Sequence, residues 1–119
     1  MRKDWLYQRG DIYLADLSPT LGSEQGGIRP VVVIQNNIGN CYAPTLIVAP
    51  ISTKVQKKQK QPTHCVMRPS SMIRSQSVVL LEQIRTIDKQ RIRCYLGKVT
   101  QDEILSINQA MRISLALDG

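Results

Sequence analysis

Residues 22–30 combine the side-chain types that can bind a phosphate. The stretch contains three glycines, a carboxylate, an amide and a guanidinium: Gly22, Gly26, Gly27, Glu24, Gln25 and Arg29. Glycines let the backbone approach a ligand closely and expose N–H donors. Because Arg29 precedes Pro30, it is biased towards extended backbone at the mouth of a strand, where its rigid fork of donors can clasp a phosphate. A polar hairpin loop with an exposed arginine is the alternative, and composition alone does not decide between them.

The sequence offers little for metal or thiol chemistry. It contains one histidine, His64, so one chain cannot supply a two-histidine metal site, and the spacing of its three cysteines matches no zinc pattern. It has no HExxH motif, paired-Asp magnesium cluster or P-loop. His64 and Cys65 are neighbours in a predicted strand and should face opposite sides, so we interpret His64 as structural or partly exposed.

Basic residues are concentrated in the middle of the chain. The net charge is +7, and residues 51–98 contain eleven basic and two acidic side chains, a local balance of +9. Such a region attracts a polyphosphate backbone. The bland alternative, a solvated surface, remains open for the lysine-rich run at 54–60 by itself. No apolar run approaches the roughly 18 residues of a membrane span, and no signal peptide is expected, so we predict a cytoplasmic protein with reduced cysteines.

Apolar patterning predicts a mostly β (α+β) protein with one domain over residues 1–119. We predict strands at 11–17, 30–35, 45–49, 63–67, 77–82 and 92–99, a glycine-rich loop at 18–27, a turn at 36–40, a basic loop at 52–61 and one helical turn within 86–90. The β-branched run at 30–35 should be buried on both faces. Short strands followed by one closing helix indicate a small, strongly curved sheet or barrel with the helix packed on it.

The closing helix is predicted over residues 101–116. Thr100 and Glu103 have the spacing of a capping box, in which each side chain bonds the other's backbone N–H. Apolar residues then recur at helical spacing: Ile104, Ile107, Met111 and Leu115. We interpret this stripe as core.

Four segments together resemble the MazF/PemK toxin family, most closely its Gram-positive MazF-like branch. They are RGDIYL from Arg9, GSEQGGIRPVVVIQN from Gly22, PTLIV from Pro44 and LEQIRTIDK from Leu81, and the resemblance runs from about residue 9 to 117. It implies an SH3-like small barrel of the MazF/Kid/CcdB type with a C-terminal α-helix, and a homodimer with RNA along its interface. It further implies cofactor-free, metal-independent cleavage of single-stranded RNA or mRNA. In that reaction a ribose 2′-hydroxyl attacks the adjacent phosphorus, giving 2′,3′-cyclic phosphate and 5′-hydroxyl ends.

The resemblance also implies catalytic roles. Arg29 would first stabilise the phosphorane and, as a second role, protonate the leaving 5′-oxygen. The family's key hydroxyl falls at Ser52, where MazF relatives usually have threonine. Thr53 is the alternative hydroxyl. Glu24 would accept the 2′-hydroxyl proton or order Arg29, and Glu82 matches the position of a catalytic aspartate in the Kid/PemK branch.

Further positions match RNA contacts of the family: Ser23, Gln25, Gly26 and Gln83. Lys54 and Lys57 are our candidates for phosphate contacts in the basic loop. Ser23 and Leu80 replace the histidine and the first arginine of the Kid/PemK branch, so a Kid-type triad is not expected.

The resemblance implies a MazE-like, acidic and partly disordered antitoxin as partner, since a cationic groove suits such a peptide. Two alternatives share the predicted fold: a CcdB-like toxin that binds DNA gyrase without nuclease activity, and a catalytically silent RNA-binding module.

Overall fold

The computed structural model describes residues 6–53, 61–70, 73 and 75–118. Lys54, Lys57 and most of the predicted basic loop lie outside the described residues. The elements in chain order are β1 (Asp11–Asp16), β2 (Ile28–Val33), α1 (Asn37–Tyr42), β3 (Thr45–Ser52), β4 (His64–Met67), β5 (Ser77–Leu80), a 3₁₀ turn (Leu81–Gln83), β6 (Arg85–Asp88), a second 3₁₀ turn (Lys89–Arg91), β7 (Ile92–Lys98) and α2 (Gln101–Ser114).

The strands form an antiparallel sheet in the order β4-β5-β3-β2-β1-β7, with β6 also paired to β3. The first part of β3 pairs with β2 and β6, whereas its last residues, Ile51 and Ser52, pair with β5. One eight-residue strand therefore joins two parts of the sheet. This arrangement confirms the predicted mostly β class with a closing helix.

The sheet is buried on both faces at β2. Val32 packs in one apolar cluster with Ile107 of α2, whereas Val31 and Val33 pack in a second cluster with Tyr13. All three valines are fully buried, as their β-branched run predicts. The rigid centre of β2 therefore fixes the position of its first residues, which include Arg29.

Helix α2 begins at the predicted capping box. The Thr100 hydroxyl accepts from the Glu103 amide at 3.1 Å, and the Glu103 carboxylate accepts from the Thr100 amide at 2.8 Å. Ile107 and Ala110 are its buried residues. The helix ends at Ser114, two residues before the predicted end.

The turn predicted at 36–40 is wrong. Asn36 instead caps α1, because its side chain accepts from the Gly39 amide at 2.8 Å. Within α1 the buried Asn40 pairs with Gln35, whose amide nitrogen lies 3.0 Å from the Asn40 oxygen. Asparagine and glycine are typical of turns, but here a cap and a buried amide pair stabilise a helical turn.

Other boundaries also differ from the sequence prediction. Strand β2 runs from Ile28 to Val33 and so includes Arg29, and the strand predicted at 77–82 ends at Leu80, where a 3₁₀ turn follows. Residues 86–88 of the predicted helical turn belong instead to β6, a strand that was not predicted, and the turn lies at Lys89–Arg91, where the Asp88 side chain accepts from the Gln90 amide. Strand β3 extends beyond the predicted 45–49 to Ser52, because β5 supplies a second pairing partner there.

Candidate active site

The pairing of β2 with β3 brings the predicted arginine and hydroxyl towards each other. Val33 lies opposite Val48, and Val31 lies opposite Pro50. The pairing of β2 with β3 ends at Val31 and Pro50, and Ser52 itself pairs with Val78 of β5. The same register, continued by two residues, would set Arg29 opposite Ser52, and residues opposite each other on neighbouring antiparallel strands project from the same side of the sheet. On that register Arg29 and Ser52 would share one face, although 23 positions separate them in sequence.

Burial distinguishes the two candidate hydroxyl residues. Ser52 is 3% exposed at the end of β3, whereas Thr53 is exposed in the bend that follows. Strand alternation extends to Ser52, the last residue of β3, but not to Thr53 in the bend, so the register relates only Ser52 to Arg29, whereas Thr53 is the more accessible of the two. Ser52 stays our preferred hydroxyl, and Thr53 stays the alternative.

The guanidinium of Arg29, in β2, is anchored by the glycine-rich loop that precedes this strand. Its Nε donates to the Gly26 carbonyl oxygen at 2.8 Å. A Cβ at Gly26 would lie 2.2 Å from the Thr20 hydroxyl oxygen, so this position has no room for a side chain unless Thr20 moves. A glycine thus allows the loop to pass close to Thr20 and to hold Arg29.

The Gln83 side chain links the glycine-rich loop to the first 3₁₀ turn. Gln83 Oε1 accepts from the Gln25 amide at 2.8 Å, and Gln83 Nε2 donates to the Ser23 carbonyl at 3.4 Å. The Glu24 carboxylate accepts from the Leu21 amide at 2.7 Å, which closes a local turn. One role expected of Glu24 was to order Arg29. In the structure the Gly26 carbonyl accepts the bond that orients the Arg29 side chain.

A cavity of about 590 Å³ lies beside this face. Its lining is Ser23, Glu24, Gln25, Pro50, Glu82, Gln83, Ile84, Arg85 and Thr86. Five of the predicted site residues are thus brought together from the loop and the 3₁₀ turn. Arg29, Gly26 and Ser52 lie outside the lining, but Pro50, which contributes to it, is two residues before Ser52. We name this cavity the cleft.

Arg85 is a residue of the cleft that our sequence reasoning missed. It lies opposite Val48 on β6, and its Nη1 donates to the Leu17 carbonyl at 3.2 Å. Arg85 projects from the same side of β6 as the buried Ile87. A charged residue at such a core-facing position was the sequence feature that could have marked Arg85 as a candidate. It adds a cation to the part of the cleft opposite the glycine-rich loop.

Glu82 is held by two residues at the start of β4. Its Oε2 lies 3.0 Å from His64 Nε2, and its Oε1 accepts from the Thr63 hydroxyl at 3.1 Å. Burial by itself raises the pKa of Glu82, but the hydrogen bond and charge of His64, with the Thr63 hydrogen bond, outweigh it, and the pKa is lowered. No sequence pattern predicted the hydrogen bond between His64 and Glu82.

The described part of the chain contains neither a membrane-spanning helix nor a group of metal-ligand side chains. Neither described helix is long and apolar enough to cross a membrane. No three His, Cys, Asp or Glu side chains gather among residues 6–53, 61–70, 73 and 75–118 in a way that would hold a metal ion.

Known proteins match the chain over most of its length. The family of PemK-like, MazF-like toxins of type II toxin–antitoxin systems matches residues 8–115. Endoribonuclease MazF of Staphylococcus saprophyticus is 51% identical over 113 residues, which cover 94% of this chain and 93% of that protein. A mycobacterial endoribonuclease solved with its cognate antitoxin has a TM-score of 0.77 at 27% identity, covering 93% of this chain and 96% of that one. MazF of Deinococcus radiodurans shares the fold, with a TM-score of 0.80 at 22% identity over 95% and 99% of the two chains.

Proposed function

The chain belongs to the PemK-like, MazF-like toxin family, and on this premise we propose that it is a sequence-specific, metal-independent endoribonuclease that cuts single-stranded RNA and thereby inhibits translation. The observation that supports the mechanism is the pairing of β2 with β3, which, continued by two residues, would set Arg29 opposite Ser52 beside the cleft. A guanidinium and a hydroxyl on one rigid face can hold a phosphate from two sides.

The proposed reaction is an internal transfer of the phosphoryl group. A ribose 2′-oxygen attacks the adjacent phosphorus and loses its proton to Glu24, while the bond to the 5′-oxygen breaks. The leaving 5′-oxygen takes a proton from the Arg29 guanidinium, which regains one from solvent, and the products carry 2′,3′-cyclic phosphate and 5′-hydroxyl ends. Arg29 stabilises the additional negative charge of the five-coordinate phosphorus, and the Ser52 hydroxyl donates to the same group. Thr53 and Glu82 are the alternatives for the hydroxyl and the proton acceptor.

Substrate binding would use the loop and the 3₁₀ turn around the cleft. Ser23, Gln25, Gly26 and Gln83 offer backbone and amide groups to RNA, and Lys54 and Lys57 would contact its phosphates. Sequence-specific recognition of RNA requires unstacked, single-stranded bases, because the edges in an A-form major groove are inaccessible. The half-open cleft and its polar lining suit such a strand.

The test is cleavage of a long single-stranded RNA by the pure protein in the presence of EDTA. We expect cleavage to persist in EDTA and to fall by about 10²–10³-fold in Arg29→Ala, the loss typical of a removed transition-state donor. Arg112→Ala, an exposed arginine of α2, is the matched control. Ser52→Ala and Thr53→Ala, compared in the same assay, identify the working hydroxyl.

The assay also separates the alternative functions. RNA binding without cleavage would indicate a silent module, and inhibition that needs DNA gyrase would indicate a CcdB-like toxin. Full cleavage by Arg29→Ala would remove the central residue from the mechanism.

We further propose that this single toxin domain acts in the cytoplasm as a homodimer controlled by an acidic, MazE-like antitoxin. The chain's net charge of +7 favours an acidic partner, and the mycobacterial neighbour was solved with its cognate antitoxin. Exposed apolar side chains on the C-terminal helix, Leu105 and Ile113, offer area for pairing of subunits. Sedimentation tests the dimer. For the antitoxin, affinity that is indifferent to salt would contradict docking led by charge.

A further inference from the structure

His64 is a nearly buried polar side chain with a specific partner. Its side chain is 4% exposed, and that of its partner Glu82 is 37% exposed. Glu82 lines the cleft, whereas His64 does not and lines a separate pocket beside β4. The ring therefore bonds the carboxylate from outside the cleft. A buried imidazole whose hydrogen-bond partner faces a binding surface is well placed to control the geometry of that partner.

Both oxygens of the Glu82 carboxylate are fixed. His64 bonds one oxygen, Thr63 bonds the other, and the Leu81 amide donates to the Thr63 carbonyl at 3.0 Å. The backbone bond keeps the 3₁₀ turn beside the start of β4, so the two side-chain bonds have little freedom to change. A carboxylate has about four acceptor positions, and two remain for a ligand.

This environment suits recognition better than proton transfer. A general base is most effective when its pKa lies near the working pH. Burial raises the pKa of Glu82, but the hydrogen bond from His64, a backbone hydrogen bond, the charge of His64 and the Thr63 bond together lower it, which moves the pKa away from that range. Glu82 is therefore a permanently charged acceptor at neutral pH.

The ligand of such an acceptor must bring a hydrogen-bond donor. A phosphate is repelled by the carboxylate, and Arg85 on the next strand supplies a cation for it. A carboxylate instead accepts from the exocyclic amino group of a nucleobase. Uracil has no amino group, and its one donor on that edge, N3–H, lies between two carbonyl oxygens that a carboxylate repels, so uracil is the base that this acceptor would favour least.

We propose that His64 and Thr63 are positioning residues that hold the Glu82 carboxylate in the cleft as a fixed acceptor for an amino-bearing base of the RNA. The inference rests on the proposed ribonuclease function. It assigns one specificity-determining contact to Glu82, and it gives a role to the histidine that the sequence alone indicates to be structural.

The experiment compares the cleavage preferences of variants on an RNA pool that contains a randomised segment. Cleaved ends are sequenced for the wild type, Glu82→Gln, His64→Leu, His64→Gln and Thr63→Val. Val66→Ala is the control, because Val66 is the next exposed residue on the same side of β4. Initial rates on one preferred RNA, from low to saturating concentration, give KM and kcat for each variant.

We expect the wild type to prefer an amino-bearing base over uracil at one position near the cut. Glu82→Gln and His64→Leu should reduce that preference about tenfold, within the range for loss of a good base contact, and leave the other positions unchanged. For His64→Leu the change should appear in KM, with kcat on the permissive RNA within a few fold of the wild type. A fall in kcat at every site in Glu82→Gln would instead identify Glu82 as the proton acceptor and contradict the inference. His64→Gln keeps a donor and should restore part of the preference.

An active, folded His64→Leu with the wild-type preference would overturn the inference, as would a uniform loss of kcat at every site. Thr63→Val gives an independent result if His64→Leu does not fold, because it removes the partner of the other oxygen. Preference that follows a 2′-hydroxyl rather than the base, in RNAs with single 2′-deoxy substitutions, would also contradict it. Failure of the proposed function is distinct, since the wild type itself would then not cleave.

Discussion

Gln83 is the side chain by which the glycine-rich loop is held against the 3₁₀ turn. Gln83→Met keeps the length of the side chain and removes its bond to the Gln25 amide at 2.8 Å and its longer contact with the Ser23 carbonyl at 3.4 Å. One intramolecular hydrogen bond contributes a net of about 0.5–1.5 kcal/mol. We count the shorter bond fully and the longer one partly, which gives about 1–1.5 kcal/mol for the docked position of the loop.

This free energy predicts an effect on loop position that is separate from global stability. A difference of about 1.4 kcal/mol corresponds to a factor of ten in an equilibrium constant, so the ratio of docked to undocked loop should fall about five- to tenfold. The loop carries the carbonyl of Gly26 that anchors Arg29, so kcat/KM for RNA should fall with the docked fraction of the loop, by at most the same factor. The melting temperature should change little, because the loop is largely exposed.

Two measurements on the same variant test this reasoning. Amide hydrogen exchange at Gln25 reports the tether directly and without RNA, and initial cleavage rates report its consequence. Gln90→Met, an exposed glutamine of the second 3₁₀ turn, is the control. Unchanged exchange at Gln25 would refute the tether, and a fall in activity without faster exchange would mean that Gln83 acts through RNA contact alone.

Three further outcomes are expected. Thr100→Ala removes the capping box of α2 and should cost about 1 kcal/mol, seen as a fall of about 4 °C in thermal denaturation, whereas unchanged melting would mean that the cap contributes nothing. Ile107→Ala, at a fully buried position, should cost about 2–5 kcal/mol in denaturant unfolding, and a cost below 1 kcal/mol would contradict the assigned core. Burial, with the nearby Glu103 carboxylate, raises the pKa of Cys65 to about 11, so at pH 8 only about one thiol in a thousand is ionised. Iodoacetamide should therefore modify the exposed Cys41 and Cys94 and spare Cys65 until the protein unfolds, as mass spectrometry would show.

The segments that the sequence predicted well are those in which neighbours within a few residues decide the conformation. The β-branched run at 30–35 could be placed in a doubly buried strand, and Thr100 with Glu103 marked the start of α2. The failure at α1 has the same basis, because its asparagines and glycine suit a turn as well as a capped helical turn. The buried pair of Gln35 and Asn40 decides between them, and that burial depends on the rest of the fold.

For the candidate site, too, some features follow from the sequence and others depend on the tertiary structure. The sequence determined that a glycine-rich loop carries Glu24 and Arg29, and that a resembling family uses such residues on RNA. Only the tertiary structure bears on whether Arg29 lies opposite Ser52, because that juxtaposition depends on the register of β2 against β3, which is observed at Val31–Val33 and Val48–Pro50. Pairing of strands is set by packing across the whole sheet, and a shift of one residue would move every side chain to the other face.

The hydrogen bond between His64 and Glu82 joins residues 18 positions apart, and the hydrogen bond between Gln83 and Gln25 joins residues 58 positions apart. No local pattern marks either contact, since each forms only when separate segments have already packed. The sequence thus supplied the chemical groups, their local conformations and the family. The fold decided which groups meet, because contacts between distant residues follow from the burial and strand register of the complete chain.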